Sequence, residues 1–254
     1  MQPLLPLQTP SFRLDGRRAL VTGGNKGIGF AAVTALVQVG AGVVLVARDT
    51  TELIAASARI DCCSGQKDSA FNHLNQQQGI TNTAPLASYK ALDVTDSAAV
   101  LAWVEKDIAA NGPFDVLVRN AGTNRPSALA ELEDADLDAV LDLNIEAAFY
   151  IARAVTRGLL AANDWRGMPG SIIHLSSQMG HVDGPKRTVY CASKHAIESM
   201  TKALAWELGR RQIRVNTICP TYIETPMTAL MLASDASTLV TGSALMLDGG
   251  WTAH

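Results

Sequence analysis

Six short runs in the chain are rich in β-branched residues and apolar on both faces: RRALVTGG, GVVLVAR, PFDVLVRNAG, GSIIHLSS, IRVNTICP and ALMLDGG. A strand that shows one face to water alternates apolar and polar residues. A strand without that alternation must be covered on both sides, as parallel strands in an α/β sheet are. A weaker run, YKALDV, makes a seventh. Helical patterns lie between the runs, at 28–39, 97–110, 135–160 and 188–210. This alternation predicts a single α/β domain of the doubly wound kind, with a mostly parallel seven-stranded sheet and helices on both faces. A chain of 254 residues that is 48% hydrophobic can bury such a core in one domain. We place an N-terminal lead at 1–15 and the domain at 16–254.

Two segments depart from the pattern. Residues 61–88, DCCSGQKDSAFNHLNQQQGITNTAPLAS, are polar and aperiodic and read as a surface insertion. TPMTALMLASDAS, residues 225–237, leaves room for only a short helix between the last two strands.

The charge totals exclude several partner classes. The formal net charge is −3 with no run of like charges, which argues against nucleic acid or an anionic membrane as partner. No stretch has 18 consecutive apolar residues, and MQPLLPLQTPSF lacks the basic and apolar regions of a secretory signal. Cys62, Cys63, Cys191 and Cys219 have no metal-ligand spacing, and neither do the scattered histidines. Reduced thiols and a cytoplasmic location are expected, with no metal site.

The first strand runs into TGGNKGIG, which places Gly23, Gly24, Gly27 and Gly29 at a strand-to-helix turn. Glycines let the backbone turn tightly and approach a pyrophosphate, which the free N–H groups of a helix N-terminus stabilise. At the end of the second strand an acidic residue would accept from a ribose 2′-hydroxyl, whereas cations suit a 2′-phosphate. Ala47 and Arg48 stand there, with Lys26 in the glycine turn, so NADP(H) is the expected cofactor. Asp49, next to Arg48, keeps NAD(H) as the alternative. Further along, Tyr190 and Lys194 are four residues apart and therefore share one helical face. Such a pair can be a partly buried phenol beside a lysine stem, or a proton-transfer device.

The motifs TGGNKGIG, LDV, RNAG, LNIEAAF, GSIIHLSS, YCASK and IRVNTICPTYIETPM occur in an order that resembles the short-chain dehydrogenase/reductase family. The resemblance covers most of residues 16–228 and the closing VTGSALMLDGG, and implies a Rossmann-type NAD(P)-binding domain. It implies an oxidoreductase that moves a hydride between NADP(H) and a carbonyl or secondary alcohol. Tyr190 then resembles the general acid/base and Lys194 the lysine that holds the nicotinamide ribose. A free phenol titrates near ~10, so exchange near neutrality calls for a neighbouring cation, which Lys194 could supply. Ser177, 13 residues before Tyr190, would hold the reacting oxygen, with Ser176 satisfied by backbone. Asn144 resembles the asparagine that keeps a water beside the lysine.

On the cofactor side the resemblance implies Gly23, Asn25, Lys26, Gly27, Ile28, Gly29 and Arg48. It adds Asp93 and Val94 at the adenine, Asn120, Ala121 and Gly122 along the groove, Tyr190 and Lys194, and Ile223 and Thr225 at the nicotinamide amide. The two long helices resemble the family's subunit contacts and imply a homodimer or homotetramer. Two departures stand out. Arg119 replaces the first asparagine of the usual N-N-A-G, and the substrate-covering segment after IETPM is largely missing. A catalytically weak NADP(H)-binding protein with a sensing or subunit role is therefore the competing class.

Overall fold

Strand β1 (Arg18–Thr22) lies at the middle of a seven-stranded sheet and is buried from Ala19 onward. The other strands are β2 (Gly42–Ala47), β3 (Ala87–Ala91), β4 (Val116–Arg119), β5 (Ser171–Leu175), β6 (Arg214–Pro220) and β7 (Ala244–Leu247). Their order is β3-β2-β1-β4-β5-β6-β7, and every pairing is parallel. The computed structural model describes residues 11–65, 87–162, 170–221, 226–248 and 252. The chain leaves β1 toward β2 on one side and returns to β4 on the other. Open α/β sheets bind ligands in the crevice at that reversal.

The helices are α1 (Gly27–Gln38), α2 (Thr50–Gly65), α3 (Ser97–Asn111), α4 (Asp134–Leu141), α5 (Ala147–Ala161), α6 (Thr188–Leu208) and α7 (Pro226–Ala233). Alternate residues of each strand feed opposite cores, which is why the strands read as apolar throughout. Val21, Leu45, Val118, Ile173 and Ile218 pack under α1, α2 and α7. Leu20, Val46, Leu117, Ile172 and Val215 pack under α3, α5 and α6. Each fully buried Val, Leu or Ile contributes roughly 1.5–3 kcal/mol, so both faces are stabilised.

Three local expectations change. The polar insertion does not begin at residue 61, because α2 runs on to Gly65, and Ala87 and Ser88 already belong to β3. Residues 66–86 lie outside the described residues. Leu53, Ala56 and Ile60 are the buried stripe of α2, and the Asp49 carboxylate caps it by accepting from Glu52 N at 2.9 Å. The single helix expected over 135–160 is interrupted by a π-helical turn at Asp142–Glu146, between α4 and α5. Finally, α7 is short but well anchored. Ala229, Leu232 and Ala233 are buried, and Leu232 O accepts from Ser171 Oγ at 2.7 Å. Leu14, two residues ahead of the expected domain start at 16, is also buried in the core.

Candidate active site

The turn between β1 and α1 is closed by contacts that leave no room for side chains. A Cβ on Gly29 would lie 2.1 Å from Gly23 O and 2.5 Å from Asn120 Nδ2, and Gly23 and Gly27 have φ of +62° and +55°. Asn120 Nδ2 donates to Gly23 O at 3.0 Å and Thr22 O at 3.2 Å, and Thr22 Oγ1 accepts from both Asn120 N and Ala121 N at 3.1 Å. The end of β4 therefore clamps the glycine turn. Lys26, the residue capping α1, makes no side-chain cap bond, so the first-turn N–H groups are presented outward, as an anionic pyrophosphate requires. The close-packed glycine cradle fits a dinucleotide.

Beside this turn is a cavity of about 370 Å³, lined by residues that include Gly23, Arg48, Asp93, Val94, Ala121 and Gly122. Asn25 and Lys26 line it too, but both turn to a residue that sequence reasoning missed. The Glu52 carboxylate accepts from Asn25 Nδ2 and lies 3.3 Å from Lys26 Nζ. Position 52, one turn into α2, carries no motif, and only the approach of α2 to the glycine turn brings it here. Burial pushes the Asp93 carboxyl up, but hydrogen bonds from Thr95 and the Arg48 charge carry it below its usual value.

The second cavity, about 280 Å³, meets the first at Gly122 and is lined by Ile28, Asn120, Ser177, Tyr190 and Lys194 among others. Lys194 is 5% exposed and donates to Leu175 O at 2.8 Å, with Nζ 5.5 Å from the centre of the Tyr190 ring. Ser177 is buried, and its hydroxyl accepts from Met179 N at 3.1 Å at the head of a short 3-10 turn. The Ser176 hydroxyl is buried against the Cys219 thiol and has no backbone partner, contrary to expectation. Ile223 and Thr225 lie outside the described residues.

The charges are arranged differently from the simple picture of a lysine lowering a tyrosine. Burial raises the Tyr190 phenol above its usual value, opposed by the Ser177 hydroxyl and the cations Arg187 and Arg119. Lys194 is itself drawn down to about 7, first by burial and then by Arg119. Arg119, 1% exposed at the end of β4, donates through Nη2 to Leu143 O at 2.5 Å and Asn144 O at 2.7 Å. These carbonyls belong to the π-turn. Asn144 is wholly buried: Nδ2 donates to Thr123 O at 2.9 Å and Ser193 Oγ at 3.0 Å, and Oδ1 accepts from Thr123 N at 2.8 Å. Both of its amide donors are thus used in joining the loop after β4 to α6.

His174, the register partner of Arg119, is completely buried, without a hydrogen bond at either ring nitrogen. Burial, Arg119 and Lys194 push it down to about 3, so it is neutral. On the other side of Lys194, the Glu198 carboxylate accepts from Thr217 Oγ1 at 2.9 Å and Cys219 Sγ at 3.2 Å, with His181 Nε2 at 3.5 Å. His181, Glu198 and Cys219 are the one group among the described residues close enough to share a metal ion. Burial and Glu198 push the Cys219 thiol up to about 12, which suits a protonated thiol donating to the carboxylate rather than a thiolate ligand. The three residues are far apart in sequence, so spacing gave no sign of this cluster.

The family model described as short chain dehydrogenase matches residues 50–235. A gluconate 5-dehydrogenase from Gluconobacter oxydans is 32% identical over 275 residues, covering 95% of this chain and 96% of that protein. An L-xylulose reductase from Bos taurus is 32% identical over 272 residues, covering 95% of this chain and 98% of the relative. Among solved structures, a gluconate 5-dehydrogenase from Burkholderia cenocepacia, in complex with NADP and tartrate, superposes with a TM-score of 0.80 at 29% identity, covering 96% of this chain and 98% of that one. A glycine-turned parallel sheet, a buried tyrosine–lysine pair at its carboxyl edge and full-length similarity to these enzymes converge: the chain belongs to the short chain dehydrogenase family of oxidoreductases.

Proposed function

We propose that the protein transfers a hydride between NADP(H) and a small carbonyl compound or secondary alcohol, with Ser177, Tyr190, Lys194 and Asn144 as the polar machinery. The observation that carries this reading is the junction of two cavities at Gly122, one at the glycine turn and one walled by Ser177, Tyr190 and Lys194. Gly23, Gly27, Gly29 and the first turn of α1 would hold the pyrophosphate, and Asp93 and Val94 the adenine. Arg48 and Lys26 would hold a 2′-phosphate, with Ile223 and Thr225 at the nicotinamide amide. The bound nicotinamide supplies or accepts the hydride. Ser177 fixes the substrate oxygen, and Tyr190 gives that oxygen a proton in reduction or takes one in oxidation. Lys194 orients the ribose, and Asn144 holds the loop after β4 against α6.

Gluconate, xylulose and tartrate appear in the names of similar proteins, which supports a small polyhydroxylated substrate. The competing cofactor, NAD(H), is favoured by one observation: Glu52 engages Lys26 and adds negative charge where a 2′-phosphate would sit. A single domain over 16–254 with a lead at 1–15 fits the continuous sheet. No helix among the described residues is long and apolar enough to cross a membrane, in keeping with a cytoplasmic enzyme. Phe149 on α5 and Trp206 on α6 are 51% and 90% exposed, which supports a homodimer or homotetramer that covers them.

The test is Tyr190→Phe assayed on a panel of sugar ketones and polyols with both cofactors. Turnover should fall by about 10²–10⁴-fold, with NADPH fluorescence titration changed by less than about threefold. A phenylalanine variant that keeps most of its turnover would remove Tyr190 from the chemistry. A parent enzyme that binds NADPH and turns over nothing on the panel would favour the sensing or subunit role.

A further inference from the structure

Arg119 is the largest completely buried side chain among the described residues, and its position explains the interruption between α4 and α5. A guanidinium has five N–H donors and stays charged at physiological pH. Here Nη2 is spent on two successive carbonyls of the π-turn, Leu143 O and Asn144 O, while Nη1 is buried without a hydrogen-bond partner. No carboxylate among the described residues bonds to it. A buried cation is normally paired, because desolvation without compensation is costly. The strand register then fixes its neighbours. Arg119 pairs with His174, and the next residue, Leu175, holds Lys194 Nζ through its carbonyl. Two cations therefore sit at adjacent strand ends beneath Tyr190.

The structure assigns Arg119, on the reading that Tyr190 carries the proton, as a positioning residue: a permanently charged group, anchored on the Leu143 and Asn144 carbonyls, that serves as counter-cation to the Tyr190 phenolate. In reduction the Tyr190 O–H bond breaks as the proton passes to the carbonyl oxygen, and the phenolate is reprotonated from solvent. In oxidation the same proton travels the other way. Arg119 stabilises the phenolate in both directions and repels the ammonium of Lys194, leaving that lysine to gain and lose a proton near neutrality.

The electrostatics agree with this geometry. Burial lowers Arg119 to about 10, and the one ionisable group that opposes the fall is Tyr190, while Arg119 in turn lowers Tyr190. The other groups facing the pair are Ser177 and His181 from the turn after β5, Arg187 ahead of α6, and Cys191 and Glu198 on α6. His174 on β5 and Cys219 on β6 complete the set. Arg187 also lowers Tyr190, but it is partly exposed and therefore screened by solvent. His174 is neutral, and Glu198 and Cys219 act on Lys194 in the opposite sense to Arg119.

The experiment compares the full chain with Arg119→Met, Arg119→Asn and Arg119→Lys. Two readouts are taken: the pH profile of kcat/KM, and the tyrosinate absorbance titration of each protein minus its Tyr190→Phe counterpart. Without the guanidinium, both the Tyr190 and Lys194 transitions should move to higher pH, by about one unit, and Arg119→Lys should recover at least half of the shift. A variant that melts earlier but leaves both transitions in place would reduce Arg119 to a clamp on the π-turn and overturn the assignment. If Arg119→Met does not fold, the Asn and Lys variants decide. The absorbance titration needs no turnover, so an upward shift there, in a protein inactive on every substrate, would uphold Arg119 and sink the hydride-transfer reading instead.

Discussion

The two ends of the groove are built from different materials. At the glycine turn, the surroundings of a dinucleotide are backbone: positive-φ glycines, free N–H groups at the start of α1, and carbonyls clamped by Asn120. At the other end, side chains do the work, and most of them are buried ionisable groups: Arg119, His174, Lys194, Glu198 and Cys219. Backbone geometry is set by φ, ψ and sterics, which solvent and pH hardly change. Buried charges shift one another's protonation, so the second end is the one that one substitution can retune without disturbing the fold.

The most severe way to break this contrast is to attack the backbone end with a side chain. Gly29→Val forces branched carbons into the 2.1 Å gap at Gly23 O. It should cost roughly 1–3 kcal/mol or more of stability, and weaken NADPH binding by ~10-fold or more by opening the turn. Thermal melting and fluorescence titration read the two effects. Unchanged cofactor affinity would mean that the glycine turn is not the phosphate cradle.

A smaller effect is expected where the covering segment is short. Similar proteins align over 275 residues with a chain of 254, so they carry positions without a counterpart here. Inserting a family-like segment after Met227 should raise kcat/KM by about tenfold through better orientation of the substrate. NADPH affinity should change much less. Rapid, saturable turnover by the unmodified chain would indicate that another element or a second copy already closes the site.

The third contrast is in pH. Lys194 titrates near 7 without ligand, pulled down from 10.5. A lysine depressed in the fold opposes folding below about 7, where it must be charged in a buried place. That penalty is relieved as pH rises from about 7 to 10.5, since there the unfolded chain holds the extra proton. If the bound ribose accepts from the ammonium, NADPH prefers protonated Lys194. Affinity should then fall as pH rises above about 7, by at most ~10-fold per unit. Calorimetry at pH 8 in buffers of different ionisation enthalpy should record proton uptake, and binding without uptake would remove Lys194 from the ribose.

The smallest effect belongs to the exposed charges around Arg48. Glu52→Gln frees Lys26 and should sharpen preference for NADPH over NADH by about threefold, whereas Arg48→Asp should erode it by a similar factor. Solvent screens both changes, because the Lys26 and Glu52 side chains are 75% and 45% exposed. Equal affinity of the parent for both cofactors would establish the NAD(H) alternative.

Much of this molecule is local and was therefore legible in the sequence. Strands buried on both faces announce themselves by unbroken apolar runs. Glycines at a strand-to-helix turn and a tyrosine four residues before a lysine are short-range patterns, and all of them appear in the fold as expected. Helix α2 was legible too, in the i, i+3, i+7 spacing of Leu53, Ala56 and Ile60, but the polar segment that follows masked it. Other features depended on contacts between residues distant along the chain. The approach of Glu52 to Lys26, the cluster of His181, Glu198 and Cys219, and the seating of Arg119 beneath the π-turn all come from the packing of separate elements. The sequence alone determined which elements form and which motif residues reach the carboxyl edge, because hydrophobic period and turn chemistry act over a few residues. Only the tertiary structure decided which charges face one another there, because strand register and helix packing set those distances and burial sets their strength.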